Sequence, residues 1–250
     1  MKVLKSLVNV VLLLTVIVSV VSVAPQFHNA FLRSSVGSEV VSIWEEHMRG
    51  GGTGFHVISP SGKTYILTNN HVCQLADKND EVVVKYGSEI TKQKVLFRSK
   101  KTDLCLVHPL HKSGISVANN VGLGQLVNLV GHPGLRPLSV SKGEIIGSTS
   151  IELVFGVNLK AGQCFGRTIN VEDLNGMEKF LLKMSGIDTL CIVNVKALQF
   201  NGISYPGNSG SPVVNDWGNL IGVLFAGNRE AFTDSFLIPL DDVKEFLSDK

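Results

Sequence analysis

Tyr205-Pro206-Gly207-Asn208-Ser209-Gly210-Ser211-Pro212 sets a serine in a tight turn, with one glycine two residues before it and another directly after. Alone, a serine among glycines reads as a simple turn. The reading changes when two upstream segments are set beside it. Leu67-Thr68-Asn69-Asn70-His71-Val72-Cys73 is a β run that ends in a polar turn carrying a histidine. Lys101-Thr102-Asp103-Leu104-Cys105-Leu106-Val107 opens a strongly apolar strand with an aspartate. The chain order His, Asp, Ser is one of the orders known for a nucleophilic serine triad.

Each residue type has a defined task in that chemistry. Serine is a weak nucleophile until a neutral imidazole accepts its proton. The aspartate fixes the imidazole tautomer and stabilises the imidazolium that forms. A glycine at Gly207 lets backbone N–H groups turn inward, so Gly207 and Ser209 become candidate oxyanion donors. The run GNSGS lacks the second glycine of G-x-S-x-G, so it does not fit an α/β-hydrolase elbow. His132, in Gly131-His132-Pro133-Gly134, reads as a loop residue.

Around these segments, short apolar or alternating runs recur between turn signals. Examples are Thr64–Thr68, Glu81–Tyr86, Leu126–Val130, Leu220–Phe225 and Ser235–Ile238. Strands this short, punctuated by glycine, argue for an all-β sandwich or a pair of barrels. Leu240, Val243, Phe246 and Leu247 have helical spacing behind Pro239 and the acidic Asp241-Asp242 pair, which predicts a closing helix. A second helical pattern covers Val171–Met184, and the Gly/Asn-rich stretch Ala118–Gln125 could join two halves.

The chain has 250 residues, 44% hydrophobic and 18% charged, which excludes disorder. Its 23 basic and 21 acidic residues give +2, and Lys2 with Lys5 account for that excess. The remaining body is neutral, with no electrostatic footprint for nucleic acid and none for a basic membrane-surface protein. Behind the two lysines, Leu7–Ala24 is an uncharged apolar run that as a helix would span roughly 27 Å. Residues 1–24 are therefore read as a signal peptide or membrane anchor, with membrane contact through residues 7–24. The charges ahead of the run keep the N-terminus cytoplasmic and export the body. Of Cys73, Cys105, Cys164 and Cys191, the pair Cys164–Cys191 is favoured if disulfides form, with buried thiols as the alternative. Cys105, His108 and His111 look like metal ligands, but no fourth ligand is evident, so no metal is expected.

The motifs GTGFHVIS, YILTNNHV, TDLCLV, VNLVGHPGL, SVSKGEIIG, PGNSGSPVVN, NLIGVLFAG and FLIPLDDVKEFL resemble those of chymotrypsin-fold, trypsin-like serine proteases. The resemblance is to the HtrA/Deg-like branch, lacking its PDZ domain, and covers about Val40 to Leu247. It implies an all-β fold of two antiparallel six-stranded β-barrels with a C-terminal helix, preceded here by the N-terminal hydrophobic helix. One barrel is expected at 36–122 with His71 and Asp103, the other at 123–250 with Ser209. The resemblance implies His71 as general base, Asp103 as its orienting acid, Ser209 as nucleophile and an oxyanion hole from Gly207 and Ser209. It puts Ile203 near the base of the substrate pocket, with Phe225 and Gly227 beside the bound chain, and an apolar base suits small or aliphatic residues. Asn208 replaces the aspartate that digestive relatives use for zymogen activation, so no switch of that kind is expected. The expected activity is that of an endopeptidase acting on polypeptide through an acyl-enzyme, without cofactor. The alternatives are an inactive binding module or an esterase on the same triad. The family's trimers make a trimer one candidate assembly. Phe155–Leu190 matches no family segment and is expected to be a variable loop region.

Overall fold

A computed structural model describes residues 28–45, 50–99, 101–157, 167–184, 187–227, 234–248 and 250. The expected leader helix lies outside them, and no helix among the described residues is long and apolar enough to cross a membrane. A helical stretch over 28–35 leads into the first strand and buries Leu32.

Six strands fill the first half: β1 (Val40–Trp44), β2 (Gly51–Ile58), β3 (Thr64–Thr68), β4 (Glu81–Tyr86), β5 (Glu89–Arg98) and β6 (Cys105–Val107). They close antiparallel in the order β1-β2-β3-β6-β5-β4, as expected of the first barrel. Helix α1 (Asn70–Cys73) leaves the end of β3. Alternation along the strands explains why they read as continuous apolar runs. Val41, Ile43, Ile66, Cys105 and Val107 fill the barrel interior. Their neighbours Val40, Tyr65, Leu67 and Leu106 face the other way, into a layer shared with the second half.

The second half holds β7 (Leu126–Gly131), β8 (Ser139–Val157), β9 (Arg167–Asn170), β10 (Thr189–Phe200), β11 (Pro212–Val214), β12 (Leu220–Gly227) and β13 (Ser235–Pro239). Their order is β13-β12-β11-β7-β8-β10-β9, and β13 also pairs with β10 through Leu198↔Leu237. The expectation of a second six-stranded barrel is thus met only in part, by a curled seven-stranded sheet with β9 at its edge. Here too alternate residues divide. Val213, Ile221 and Leu237 fill this half's own core, while Val214, Leu220 and Ile238 face the shared layer. Each such fully buried side chain contributes about 1.5–3 kcal/mol, so the two halves are held face to face by a substantial apolar layer. Helix α3 (Leu240–Ser248) closes that layer with Val243 and Leu247, as its spacing predicts.

The segment expected to be a loop, Phe155–Leu190, is more ordered than that. β8 and β10 run on as a long antiparallel ribbon, from Phe200↔Ile145 to Thr189↔Val157. The predicted helix Val171–Met184 is split. A 3₁₀ turn covers Val171–Asp173, and α2 (Gly176–Met184) begins after a break at Gly176, whose φ of +75° ends the continuity. No residue of α2 is buried.

Candidate active site

β3 delivers the histidine. Asn69 is extended and caps α1, so His71 sits one residue into that helix. Asp103 is nearly buried and receives this corner through several groups at once. Its backbone oxygen accepts from Asn69 Nδ2 and Asn70 N, both at 3.0 Å. Its carboxylate accepts from His71 N at 2.8 Å (Oδ1) and lies 2.6 Å from His71 Nδ1 (Oδ2). The turn behind it is tied by Ser99 Oγ, which accepts from Lys101 N and Thr102 N.

A carboxylate can only accept, so Nδ1 carries the proton and Nε2 keeps its lone pair. Burial of His71 alone would lower its pKa. The Asp103 charge and hydrogen bond together outweigh that burial and raise it above the ordinary value near 6.5. A disulfide clamps the same corner. Cys73, two residues after His71, is bonded to Cys105, two residues after Asp103. Sequence reasoning did not pair these two. Cys191 is disulfide-bonded as well, while Cys164 lies outside the described residues.

The serine arrives on the irregular chain before β11. Asn208 N donates to Tyr205 O and Ser211 N to Asn208 O, which winds residues 205–211 into consecutive turns, and Gly210 N ties them to Leu224 O of β12. Gly207 (φ +92°) and Gly210 (φ +85°) need the left-handed region that glycine adopts freely. A Cβ on Gly210 would stand 2.1 Å from Thr53 O and 2.3 Å from Thr68 Oγ1, so the turn is wedged against the strands that lead to His71. Ser209 O accepts from Thr53 N at 2.7 Å, and Gly134 N reaches Pro206 O at 2.6 Å. The Gly207 and Ser209 N–H groups donate to no described residue, and Ser209 Oγ likewise makes no hydrogen bond among them.

The structure therefore brings His71 and Asp103 into direct contact and packs the Gly207–Ser209 turn against the strand end that carries them. The three pocket candidates separate. Gly227 closes over Ser204, whose Oγ would be 2.6 Å from a Cβ there. Phe225 is buried in the layer between the halves, and Ile203 is 44% exposed. The buried side chains beside Gly227 are Ser204 and Ser235, bonded to each other at 2.7 Å.

Away from the cleft, Glu39, His56 and His111 bring three ligand-type atoms within 4.8 Å of one another. His56 uses both ring nitrogens on the protein, Nε2 accepting from Leu110 N at 3.2 Å and Nδ1 facing Glu39 O at 3.1 Å. Burial pushes its pKa down to about 4, and the neutral ring has no lone pair left for a metal.

Comparison with known proteins agrees with the geometry. The family model for the trypsin-like peptidase domain matches residues 52–223. A serine protease HtrA-like protein of Staphylococcus aureus (strain bovine RF122 / ET3-1) is 28% identical over 202 residues, 77% of this chain and 22% of that protein. The serine protease Do-like HtrB of Bacillus subtilis (strain 168) is 28% identical over 191 residues, 74% of this chain and 35% of that one. The chain thus spans between about a fifth and a third of the length of these relatives. The active form of the Rv3671c protease from M. tuberculosis superposes with a TM-score of 0.61 at 20% identity, covering 88% of this chain and 84% of that one. The serine endoprotease from Yersinia pestis gives 0.56 at 20% identity, covering 89% and 67%. Likeness at that identity establishes the chymotrypsin-like fold. The family match spans both the His71–Asp103 corner and the Ser209 turn, and on it the chain belongs to the trypsin-like peptidase domain family.

Proposed function

We propose that this chain is a serine endopeptidase with His71, Asp103 and Ser209 as its triad. The observation that carries the reading is the 2.6 Å contact between His71 Nδ1 and Asp103 Oδ2, because it fixes the Nδ1–H tautomer, the one in which Nε2 can act as base. Ser209 Oγ attacks the scissile carbonyl while His71 Nε2 takes its proton. The Gly207 and Ser209 amides hold the oxyanion. His71 then protonates the leaving amine, and water returns the acyl-enzyme to the free serine by the same route. We read residues 36–122 and 123–250 as the two barrels of such an enzyme, a reading supported by the extra β10–β13 pairing.

The pocket is proposed to take small or aliphatic residues. Neither the Ser204–Ser235 pair nor Ile203 offers a negative charge, and an unpaired lysine or arginine there would be costly to desolvate. Export of the body is supported by the lysine-led apolar run and by oxidised Cys73, Cys105 and Cys191. The test is labelling with a fluorophosphonate together with casein hydrolysis, both lost in Ser209→Ala. A binding module would show neither in the wild-type chain. An esterase would turn over short esters and leave casein intact.

A further inference from the structure

An oxyanion turn works only if the peptide groups around its two inward N–H groups are fixed in other directions, since every peptide plane is free to swing about a glycine. Four planes matter between Pro206 and Gly210. Gly134 N fixes the first through Pro206 O, and Ser211 N fixes the third through Asn208 O. The carbonyls of the second and fourth are both held by one residue, Thr53 of β2. Its N–H donates to Ser209 O at 2.7 Å, and its Oγ1 donates to Gly207 O at 2.8 Å.

Thr53 is fully buried, and its hydroxyl has a definite direction. Gly207 O can only accept, so the single hydroxyl proton points there. The lone pair then accepts from His132 N at 3.1 Å, which ties in the loop that also supplies Gly134 N. Thr53 O is itself held by Thr68 Oγ1 at 2.7 Å, two residues before Asn70 and the start of α1. A β-branched side chain in a strand keeps its χ1 stiff, so the hydroxyl is aimed as well as placed.

From this geometry we propose that Thr53 is a positioning residue for the oxyanion turn. It links the His71 side of the cleft and the His132–Leu135 loop to the carbonyl of Gly207. The proposal rests on the endopeptidase reading and deepens it. Without the hydroxyl, Gly207 O and His132 N lose their partner inside the protein: the Gly207–Asn208 peptide is then held only through Asn208 N, and the His132–Leu135 loop is untied from β2. Once the His132–Leu135 loop shifts, Gly134 N no longer holds Pro206 O in place, and the Pro206–Gly207 peptide can tilt its Gly207 N–H off the oxyanion. The substrate pocket is untouched, so kcat suffers and KM does not.

The test uses a fluorogenic peptide drawn from a casein cleavage site, with fluorophosphonate labelling rates in parallel. Thr53→Val is expected to lower kcat roughly tenfold to a hundredfold, short of the ~10²–10³ for outright loss of a donor. KM should stay within about twofold, with the pH midpoint unmoved because His71 is not touched. Thr53→Ser, which keeps the hydroxyl, should recover most of the rate. If the valine variant does not fold, Thr53→Ala removes the same hydroxyl without adding a methyl and carries the same expectation. Wild-type kcat in the folded valine or alanine variant overturns the proposal, and so does a serine variant as slow as valine. A wild-type chain that cleaves no peptide and takes no label overturns the endopeptidase reading itself.

Discussion

The two walls of the cleft are held in opposite ways. On the first, His71 and Asp103 sit on elements joined by the Cys73–Cys105 disulfide and by hydrogen bonds to a single carboxylate. On the second, the Ser209 turn has two left-handed glycines and is held by neutral hydrogen bonds, two of them from Thr53 of the opposite wall. One wall is fixed covalently and by charge, whereas the other takes its shape from contact with the first. Loss of the charge on the first wall should therefore change the chemistry with the fold largely intact. Damage to the second should change shape and chemistry together.

The largest effect tests the first wall. Asp103→Asn keeps the size of the side chain, but with its oxygen taken by His71 N it turns an NH2 toward Nδ1 and favours the wrong tautomer, so in the proposed mechanism kcat should fall about 10⁴-fold. Thermal unfolding should shift far less than that loss suggests. Equal collapse of melting temperature and rate would erase the contrast between the walls. On the second wall, Gly210→Ala puts a Cβ against Thr53 O at a φ that alanine resists. A cost of about 3 kcal/mol or more is expected in urea unfolding, with activity lost as well. A variant as stable as wild type would mean the turn has room that the packing denies it.

A smaller effect separates covalent from electrostatic support. Replacing Cys73 and Cys105 together by serine opens a bridge between residues 32 apart in sequence. The expected cost is about 2–4 kcal/mol in denaturant unfolding. Below the unfolding midpoint, kcat should fall much less than in Asp103→Asn, because the carboxylate still meets His71. If the double variant lost as much rate as Asp103→Asn, the disulfide and not the charge would be the main positioning device.

What could be read from the sequence follows the same division. The contact of His71 with Asp103 was legible, and the turn that carries Ser209 stood out beside it, because each residue type sits in a local sequence that fixes its shape. The first barrel was legible too, since its strands are short and well punctuated. The ribbon of β8 and β10 was not, because no turn residue marks where a strand stops pairing with one neighbour and starts with another. Cys73–Cys105 escaped because the pairing depends on β3–β6 register, where Thr68 lies opposite Cys105. Thr53 escaped for a stronger reason: its hydroxyl bonds a backbone atom 154 residues away, and nothing local records that.

The smallest effect is a matter of degree in pH. In the proposed mechanism His71 must be neutral to accept the serine proton, and its pKa is raised above about 6.5 by Asp103 acting against burial. The rising limb of kcat/KM should therefore have its midpoint above 6.5, with activity still climbing between pH 7 and 8. Stability runs the other way. A histidine whose pKa is higher folded than unfolded contributes stability that is complete below about 6.5 and fades as pH rises through the folded value. The protein should thus lose a little stability across the interval in which the proposed activity rises. Asp103→Asn removes the charge and leaves burial as the main influence on the ring, so the residual activity should titrate at lower pH than wild type. An unmoved midpoint in that variant would mean that another group sets the profile, and the charge on the first wall would no longer explain the base.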